Sequence, residues 1–288
     1  MSDGQEPFSI AEMVFHHTGD AHELDFAPFG TIQLPQWEPI HIGSLAIDVS
    51  PTRHVVFLVL AAVLTFALLK VAANGIAKAR AEGRAPRGYA GMMEAFVVFV
   101  RNEIAIANIG SESGARYAPL IMAFFFFILM MNLLGLMPWG ASPTGNLAVT
   151  AALAVMSFLV IEVGGMMKLG FKGYMGTIFP HIEGLHGAGA VVMTLAMAPI
   201  ELMSKLVKPV ALSIRLFGNM LAGHFVILSL FGIVFLFGSL GAWSYGIGVV
   251  TATVVLGVMF LELIVAVLQA YVFALLSAVF IGLMQHEH

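Results

Sequence analysis

The chain has 288 residues, of which 59% are hydrophobic and only 10% are charged. A soluble globular domain has fewer apolar and many more charged residues, so much of this chain is predicted to face lipid. The chain contains no cysteine, which excludes disulfides and thiolate metal sites.

The N-terminal stretch 1–53 is predicted to be an extracytoplasmic segment of the mature protein. It contains eight acidic residues and a single basic one, Arg53. It also lacks the basic-then-apolar order of a signal peptide. Residues 70–116, by contrast, hold seven of the thirteen Lys and Arg residues. Short loops rich in Lys and Arg stay in the cytoplasm, so the N-terminus is predicted to lie outside.

Apolar runs long enough to cross a hydrocarbon core of about 30 Å recur along the chain. We therefore predict an all-α, polytopic membrane protein with five crossings, at 54–73, 117–137, 147–167, 190–237 and 244–284. Each of the last two is about twice as long as a perpendicular crossing requires. These two are expected to be strongly tilted and to form a hairpin.

The connections between crossings are less apolar. Residues 74–116 are assigned to the cytoplasm, and within them the apolar stretch 88–109 is interrupted by Glu94, Arg101 and Glu103. Such a segment fits an amphipathic helix lying at the membrane interface. The glycine-rich stretch 168–189 is predicted to be a cytoplasmic loop. An odd number of crossings then leaves the tail, 285–288, in the cytoplasm.

The first of the two long helices is predicted to bear a polar stripe. On an α-helix the members of this stripe fall within about 40° of Arg215: Glu201, Ser204, Lys208, Arg215 and Asn219. Small residues lie beside the stripe, and small residues let another membrane helix approach closely. The stripe is therefore predicted to pack against a partner, with Arg215 at the contact.

The second long helix adds polar residues at matching depth. A turn is predicted around 238–242, and residues at equal depth on two antiparallel helices are equally far from their turn. Gln269 then matches Arg215, and Glu262 matches His224. At about 1.5 Å per residue, His224 and Glu262 lie roughly 10–14 Å outward of the arginine layer. Intramembrane acids and histidines mark proton paths, so this pair is a candidate relay.

Glu201 lies on the other side of the arginine. It is about 20 Å from Arg215 along the helix, toward the cytoplasm. The residues alone therefore predict an ion path that is interrupted by an arginine and has a carboxylate on each side.

These residues carry a resemblance to a known family, subunit a of F-type ATP synthases. The segment from Lys208 to His224, KPVALSIRLFGNMLAGH, resembles the family's signature, and LQAYVF from Leu268 to Phe273 resembles its last-helix motif. Glu201, fourteen residues before the arginine, also fits. Further matches are MNLLGLMP at 131–138 and PTGNLAVT at 143–150.

The resemblance implies how the stripe works. Arg215 would face the carboxylates of a rotating ring of c subunits and separate two offset half-channels. His224 and Glu262 would serve the outer half-channel and Glu201 the cytoplasmic one. Supporting polar contacts would come from Ser204, Asn219 and Gln269. Many bacterial members have the histidine and the acid exchanged between these two positions, so the resemblance implies joint action without dividing their roles.

The resemblance also implies the setting of the protein. The chain would couple proton flow to ATP synthesis without hydrolysing ATP itself, and it would use no cofactor or metal. Its partners would be the c-ring, the subunit b stalk, the remaining synthase subunits and membrane lipid, with no nucleic acid. A bacterial inner membrane is predicted, because the N-terminus lacks an Arg-rich transit segment.

Other interpretations of the same residues stay open. Arg215 could be a structural charge paired with Glu201 or a snorkelling residue, and Lys208 is expected to snorkel. The chain could be a secondary transporter, although repeated halves and broken helices are not evident, or a structural assembly subunit. Haem binding would need axial histidine pairs within membrane helices. Glu162 has no assigned role beyond a possible channel-lining acid.

The remaining histidines are interpreted as structural or solvated. His16, His17 and His22 are predicted to be solvated, because no other ligand cluster accompanies them. His181 and His186 lack the spacing of a zinc-binding HExxH helix.

Overall fold

A computed structural model describes residues 19–26, 30–43, 45–48, 50–137, 139–179, 188–237 and 242–286. The fold is predominantly helical. Its main helices are α1 Arg53–Ala81, α2 Tyr89–Phe99, α3 Ser111–Gly135, α4 Leu147–Ile178, α5 Ala188–Leu236 and α6 Ala242–His286.

Five of these helices, all except α2, are long and apolar enough to cross a membrane. Each overlaps one of the five predicted crossings, although 117–137 and 190–237 run one or two residues past the helix ends. The all-α polytopic membrane fold is confirmed. The helices α5 and α6 have 49 and 45 residues, about 70 Å of helix at 1.5 Å per residue. That is more than twice the hydrocarbon thickness. Their tilt stays a prediction, and 238–241 of the predicted turn lie outside the described residues.

The stretch predicted as an interfacial helix is helical but not uniformly so. After α2 the chain forms a π-helical segment, Val100–Ile106, and one further turn, Ala107–Ile109. Its buried side chains lie on one face, at Met93, Val100, Ile104, Ala105 and Ile109. Its location at the membrane interface stays a prediction.

The stretch predicted as a loop at 168–189 is partly helical. The helix α4 continues to Ile178, with one interruption at Gly170, where φ is 68° and ψ is 171°. Only glycine adopts such a backbone conformation without steric cost. The break therefore redirects the chain at Gly170, and the last turns of α4 resume beyond it. The rest of the predicted loop, 180–187 with its two histidines, lies outside the described residues.

The N-terminal segment contains two short β-hairpins that the sequence analysis did not predict. Strand β1 (Glu23–Asp25) pairs antiparallel with β2 (Thr31–Gln33), and β3 (Ile40–Ile42) with β4 (Leu45–Ile47). The backbone N–H of Arg53 donates to the carbonyl of Ala21 at 2.9 Å. The segment before β1 is thereby attached to the first turn of α1.

The chain forms two compact units. Unit 1 comprises the described residues of Met1–Ala62, Leu129–Asn146 and Phe217–Leu268, and unit 2 comprises the described residues of Val63–Ile128, Leu147–Leu216 and Gln269–His288. The helices α1, α3, α5 and α6 each contribute to both units.

In unit 1, Asn132 fixes the position of α6. This fully buried side chain donates from Nδ2 to the carbonyl of Ala266 at 3.1 Å. Its Oδ1 accepts a hydrogen bond from Thr144 Oγ1 at 2.7 Å. Both ends of the amide are thus satisfied inside an apolar core, where an unpaired amide would cost about 1–3 kcal/mol. The contact lies one helical turn beyond Glu262.

In unit 2, α4 and α3 pack against the second half of α6. Ser157 and Ser277 share a buried hydrogen bond of 2.9 Å. The ring of Phe124 meets that of Phe273 edge-on at 5.4 Å between centroids. These contacts combine apolar burial with hydrogen bonding between helices, as is common in membrane proteins.

Candidate functional site

A cavity of about 380 Å³ lies within unit 1, and we name it the His224 cavity. Its wall is built from the N-terminal segment, the start of α1, the chain that follows α3, and the facing stretches of α5 and α6. The titratable residues in this wall are Asp25, Arg53, His54, His224 and Glu262.

The structure brings His224 and Glu262 to this one cavity. Glu262 is only 4% exposed, and both of its carboxylate oxygens are buried without a hydrogen-bond partner among the described residues. A buried carboxylate that no protein group satisfies is costly unless it exchanges a proton or meets water. Its position against the cavity leaves room for water beside the carboxylate.

Gly223 creates the space for this carboxylate. A Cβ atom at position 223 would lie 2.1 Å from Oε1 of Glu262 and 3.1 Å from its Cγ. Only a residue without a side chain lets α5 approach the acid so closely. Sequence reasoning gave Gly223 no role, although a small residue next to His224 was the available signal.

Three further titratable residues of this wall were missed, namely Asp25, Arg53 and His54. His54, in the first turn of α1, is 5% exposed, and its Nδ1 lies 2.8 Å from Oδ1 of Asp20. Arg53 lies beside His54 at the start of α1 and lines the same cavity. The available signal was a histidine directly at the start of the first crossing.

A smaller cavity lies within unit 2, and we name it the Glu201 cavity. Its volume is about 30 Å³, enough for one or two water molecules. The ionisable residues in its wall are Glu162 of α4 and Glu201, Lys205 and Lys208 of α5, and α6 contributes apolar side chains. Ser204 is half-buried but does not line this cavity.

Glu162, for which the sequence suggested no definite role, belongs to a buried polar cluster. Its carboxylate accepts a hydrogen bond from the hydroxyl of Tyr174 and lies 3.5 Å from Nζ of Lys205. Lys205 also donates to Thr177 Oγ1 at 2.8 Å. Its Nζ is 4.6 Å from the centre of the Tyr174 ring. The helical turns that follow Gly170 are thus tied to α4 and α5 through one lysine.

The replacement Glu162→Gln is expected to lower the stability of the protein by about 3 kcal/mol, because it leaves the Lys205 charge buried without its counterion. The double variant Glu162→Leu with Lys205→Met removes both charges and is expected to recover most of this loss. Thermal denaturation of the purified complex in detergent measures both. A double variant that is as unstable as Glu162→Gln, or less stable, would show that the two charges are not coupled.

Arg215 and Asn219 lie on the exposed side of α5, whereas Gln269 is 7% exposed on α6. Among the described residues, no acidic group forms an ion pair with Arg215. The alternative in which Arg215 pairs with Glu201 is therefore not what the structure has. Lys208 does have a partner within the chain, because its Nζ lies 5.1 Å from the centre of the Phe280 ring.

The arrangement can be compared with known proteins. The sequence model of the ATP synthase A chain family matches residues 55–282. The chain is 41% identical to the ATP synthase subunit a of Chloroherpeton thalassium, over 94% of this chain and 76% of that protein. It is 40% identical to the ATP synthase subunit a of Myxococcus xanthus, over 91% of this chain and 88% of the relative. A match covering most of the chain at this identity shows the family: the chain is a multi-pass membrane protein of the ATP synthase A chain family.

Proposed function

We propose that this chain conducts protons for a rotary F-type ATP synthase through two half-channels that meet at a ring of c subunits. The observation that carries the proposal is that each of the two carboxylates predicted to serve a half-channel lines a cavity of its own unit, Glu262 in unit 1 and Glu201 in unit 2. The His224 cavity would belong to the outer half-channel and the Glu201 cavity to the cytoplasmic one. Family membership supports ion transport in ATP synthesis over the transporter and haem-binding alternatives.

The order of residues along α5 supports a barrier between the two paths. Leu212 is the last residue of α5 in the wall of the Glu201 cavity, and Leu221 is the first in the wall of the His224 cavity. Arg215 and Asn219 lie between them in sequence and line neither cavity. In the proposed mechanism, a proton crosses from one path to the other only on another subunit, and the arginine prevents direct passage.

Arginine suits this position for a physical reason. Its guanidinium is not deprotonated in proteins, so it cannot relay a proton. Its permanent charge attracts an ionised ring carboxylate and repels a proton that would otherwise leak through. A ring carboxylate must be neutral to move through lipid, because an isolated buried charge is prohibitively costly. Rotation and proton transfer are thereby coupled.

The partners follow from the same mechanism. The exposed face of α5 around Arg215 and Asn219 would face the c-ring, with Gln269 and Ser204 as supporting polar groups. The stalk of b subunits would hold this chain fixed while the ring turns. The chain would hydrolyse no ATP itself. Its N-terminus would lie outside a bacterial inner membrane and its C-terminus in the cytoplasm.

Cysteine accessibility tests the two half-channels, because the natural chain contains no cysteine. Ile227→Cys places a thiol in the wall of the His224 cavity, and Ile161→Cys places one in the wall of the Glu201 cavity. In sealed vesicles of either orientation, a thiol-reactive ion small enough for the Glu201 cavity, such as Ag⁺, is expected to reach the first only from outside and the second only from the cytoplasmic side.

The unmodified complex, treated identically, gives the labelling background of the other subunits. Labelling of both cysteines from the same side would contradict the proposal, because the two cavities would then belong to one aqueous path.

A further inference from the structure

We propose that His54, oriented by Asp20, exchanges protons in the wall of the His224 cavity and passes them between the water of that cavity and Glu262. This inference rests on the proposed function and adds two residues to it. It also gives the N-terminal segment a part in transport.

The geometry of the pair extends from solvent to the cavity. Oδ1 of Asp20 lies 2.8 Å from Nδ1 of His54, and the side chain of Asp20 is 34% exposed whereas that of His54 is 6% exposed. His54 lines the same cavity as His224 and Glu262. His54 thus lies in the same wall as Glu262, and its carboxylate partner lies on the more exposed side of the ring.

Several contacts hold the pair in position. The side chain of Asn146 donates from Nδ2 to Oδ2 of Asp20 at 3.1 Å. The guanidinium of Arg53 donates to the carbonyl of Gly19, and the backbone N–H of Arg53 donates to the carbonyl of Ala21. Asp20 is therefore flanked by fixed backbone on both sides. A hydrogen bond fixed in this way orients the imidazole ring.

The carboxylate determines which nitrogen of the ring is active. Burial alone would raise the pKa of Asp20, but the hydrogen bond and the charge interaction with His54 outweigh it, and the pKa lies below its usual value. An ionised carboxylate only accepts hydrogen bonds, so Nδ1 of His54 donates and Nε2 is left to exchange protons.

The proton transfer involves only N–H and O–H bonds. Nε2 takes a proton from hydronium in the cavity and leaves water, and the ring becomes an imidazolium that the Asp20 carboxylate stabilises. Nε2 then returns the proton through water to the carboxylate of Glu262, and the ring is neutral again. The charged and titratable groups that face this exchange are Asp20, Asp25, Arg53, His224 and Glu262.

A purely structural latch between the N-terminal segment and α1 would use the same hydrogen bond, and His54→Asn separates the two roles. Asparagine can still donate a hydrogen bond to Asp20, but it cannot carry a proton.

In vesicles of the reconstituted complex that make ATP from an imposed proton gradient, His54→Asn and His54→Ala are both expected to lower the synthesis rate about tenfold. This loss is smaller than that expected for a sole acid-base group. The deficit grows as the pH of the outer compartment rises, because hydronium becomes scarcer. Imidazole in that compartment is expected to restore the rate of His54→Ala.

The control is His41→Asn, which changes an exposed histidine of strand β3 that does not line the cavity and should leave the rate unchanged. An undiminished rate in His54→Asn overturns the inference, as does a loss in both variants that imidazole does not relieve. Glu262→Gln is measured alongside them. If it keeps the full rate, the His224 cavity is not a proton path, and the proposed function itself fails.

Discussion

Arg215→Ala is expected to abolish ATP-driven proton pumping while the complex remains assembled in the membrane. Arg215 lies on the exposed side of α5, and among the described residues no acid pairs with it. Its removal therefore breaks no internal ion pair, and assembly should survive. The measurement is ATP-driven acidification of sealed vesicles, with the amounts of the other subunits checked in the same membranes.

The same variant is also expected to leak. Without a permanent positive charge between the two half-channels, a proton can pass without turning the ring. Each elementary charge that crosses 100 mV releases about 2.3 kcal/mol, so the leak would dissipate the energy that normally drives rotation. Passive proton conductance of vesicles under an imposed potential measures this effect. Arg215→Lys should block the leak better than alanine, because it keeps a cation.

Arg84→Ala is the matched control for the loss of an arginine. Arg84 is exposed and forms an ion pair with Glu82 outside the membrane-crossing helices, and exposed pairs contribute little to stability. This variant should pump and seal like the parent complex. If Arg215→Ala also pumps normally, Arg215 has a structural role, and the barrier mechanism is wrong.

Features of the fold that involve many consecutive residues could be predicted from the sequence, and features that depend on one or two residues could not. Apolar runs as long as a bilayer is thick gave all five crossing helices, because burial in lipid constrains some 20 consecutive residues at once. The depth match between His224 and Glu262 followed from the helical rise and an antiparallel turn. Both residues line one cavity of the structure, while their part in proton transfer stays a prediction.

Local deviations from regular α-helix could not be predicted from the sequence. Gly170 interrupts α4 although the residues around it read as an ordinary connection. Glycine marks only where a positive φ is possible, not whether the chain uses it. The π-helical segment Val100–Ile106 has the same residue types as an α-helix, so no pattern distinguishes it.

The contact between Asp20 and His54 escaped prediction for a different reason. The two residues are 34 positions apart and belong to an irregular segment and a helix, so no shared periodicity relates them. The acidic character of residues 1–53 was used only to assign a side of the membrane. The same acids also supply a partner for a buried histidine, which only the three-dimensional arrangement reveals.

Glu262→Gln is expected to reduce ATP-driven pumping and gradient-driven ATP synthesis by at least about a hundredfold, the typical contribution of a positioned acid-base group. The glutamine has nearly the same volume, so packing against Gly223 is preserved, but it cannot bind or release a proton. Assembly should be normal, because among the described residues no hydrogen bond to the carboxylate oxygens is lost. Unlike Arg215→Ala, this variant should not leak, since the arginine barrier is intact.

Gly223→Ala tests the position of the same carboxylate without removing it. The added Cβ would lie 2.1 Å from Oε1, so the acid must move away from α5, and the rate should fall although Glu262 is still titratable. Gly257→Ala adds the same methyl group to α6 at a point where nothing lies within 4 Å, and it should be neutral. A normal rate in Gly223→Ala together with a lost rate in Glu262→Gln would mean that the charge matters but its place against α5 does not. Normal rates in both would exclude Glu262 from the proton path, because Glu262→Gln removes the proton-binding group while nearly preserving the volume of the side chain.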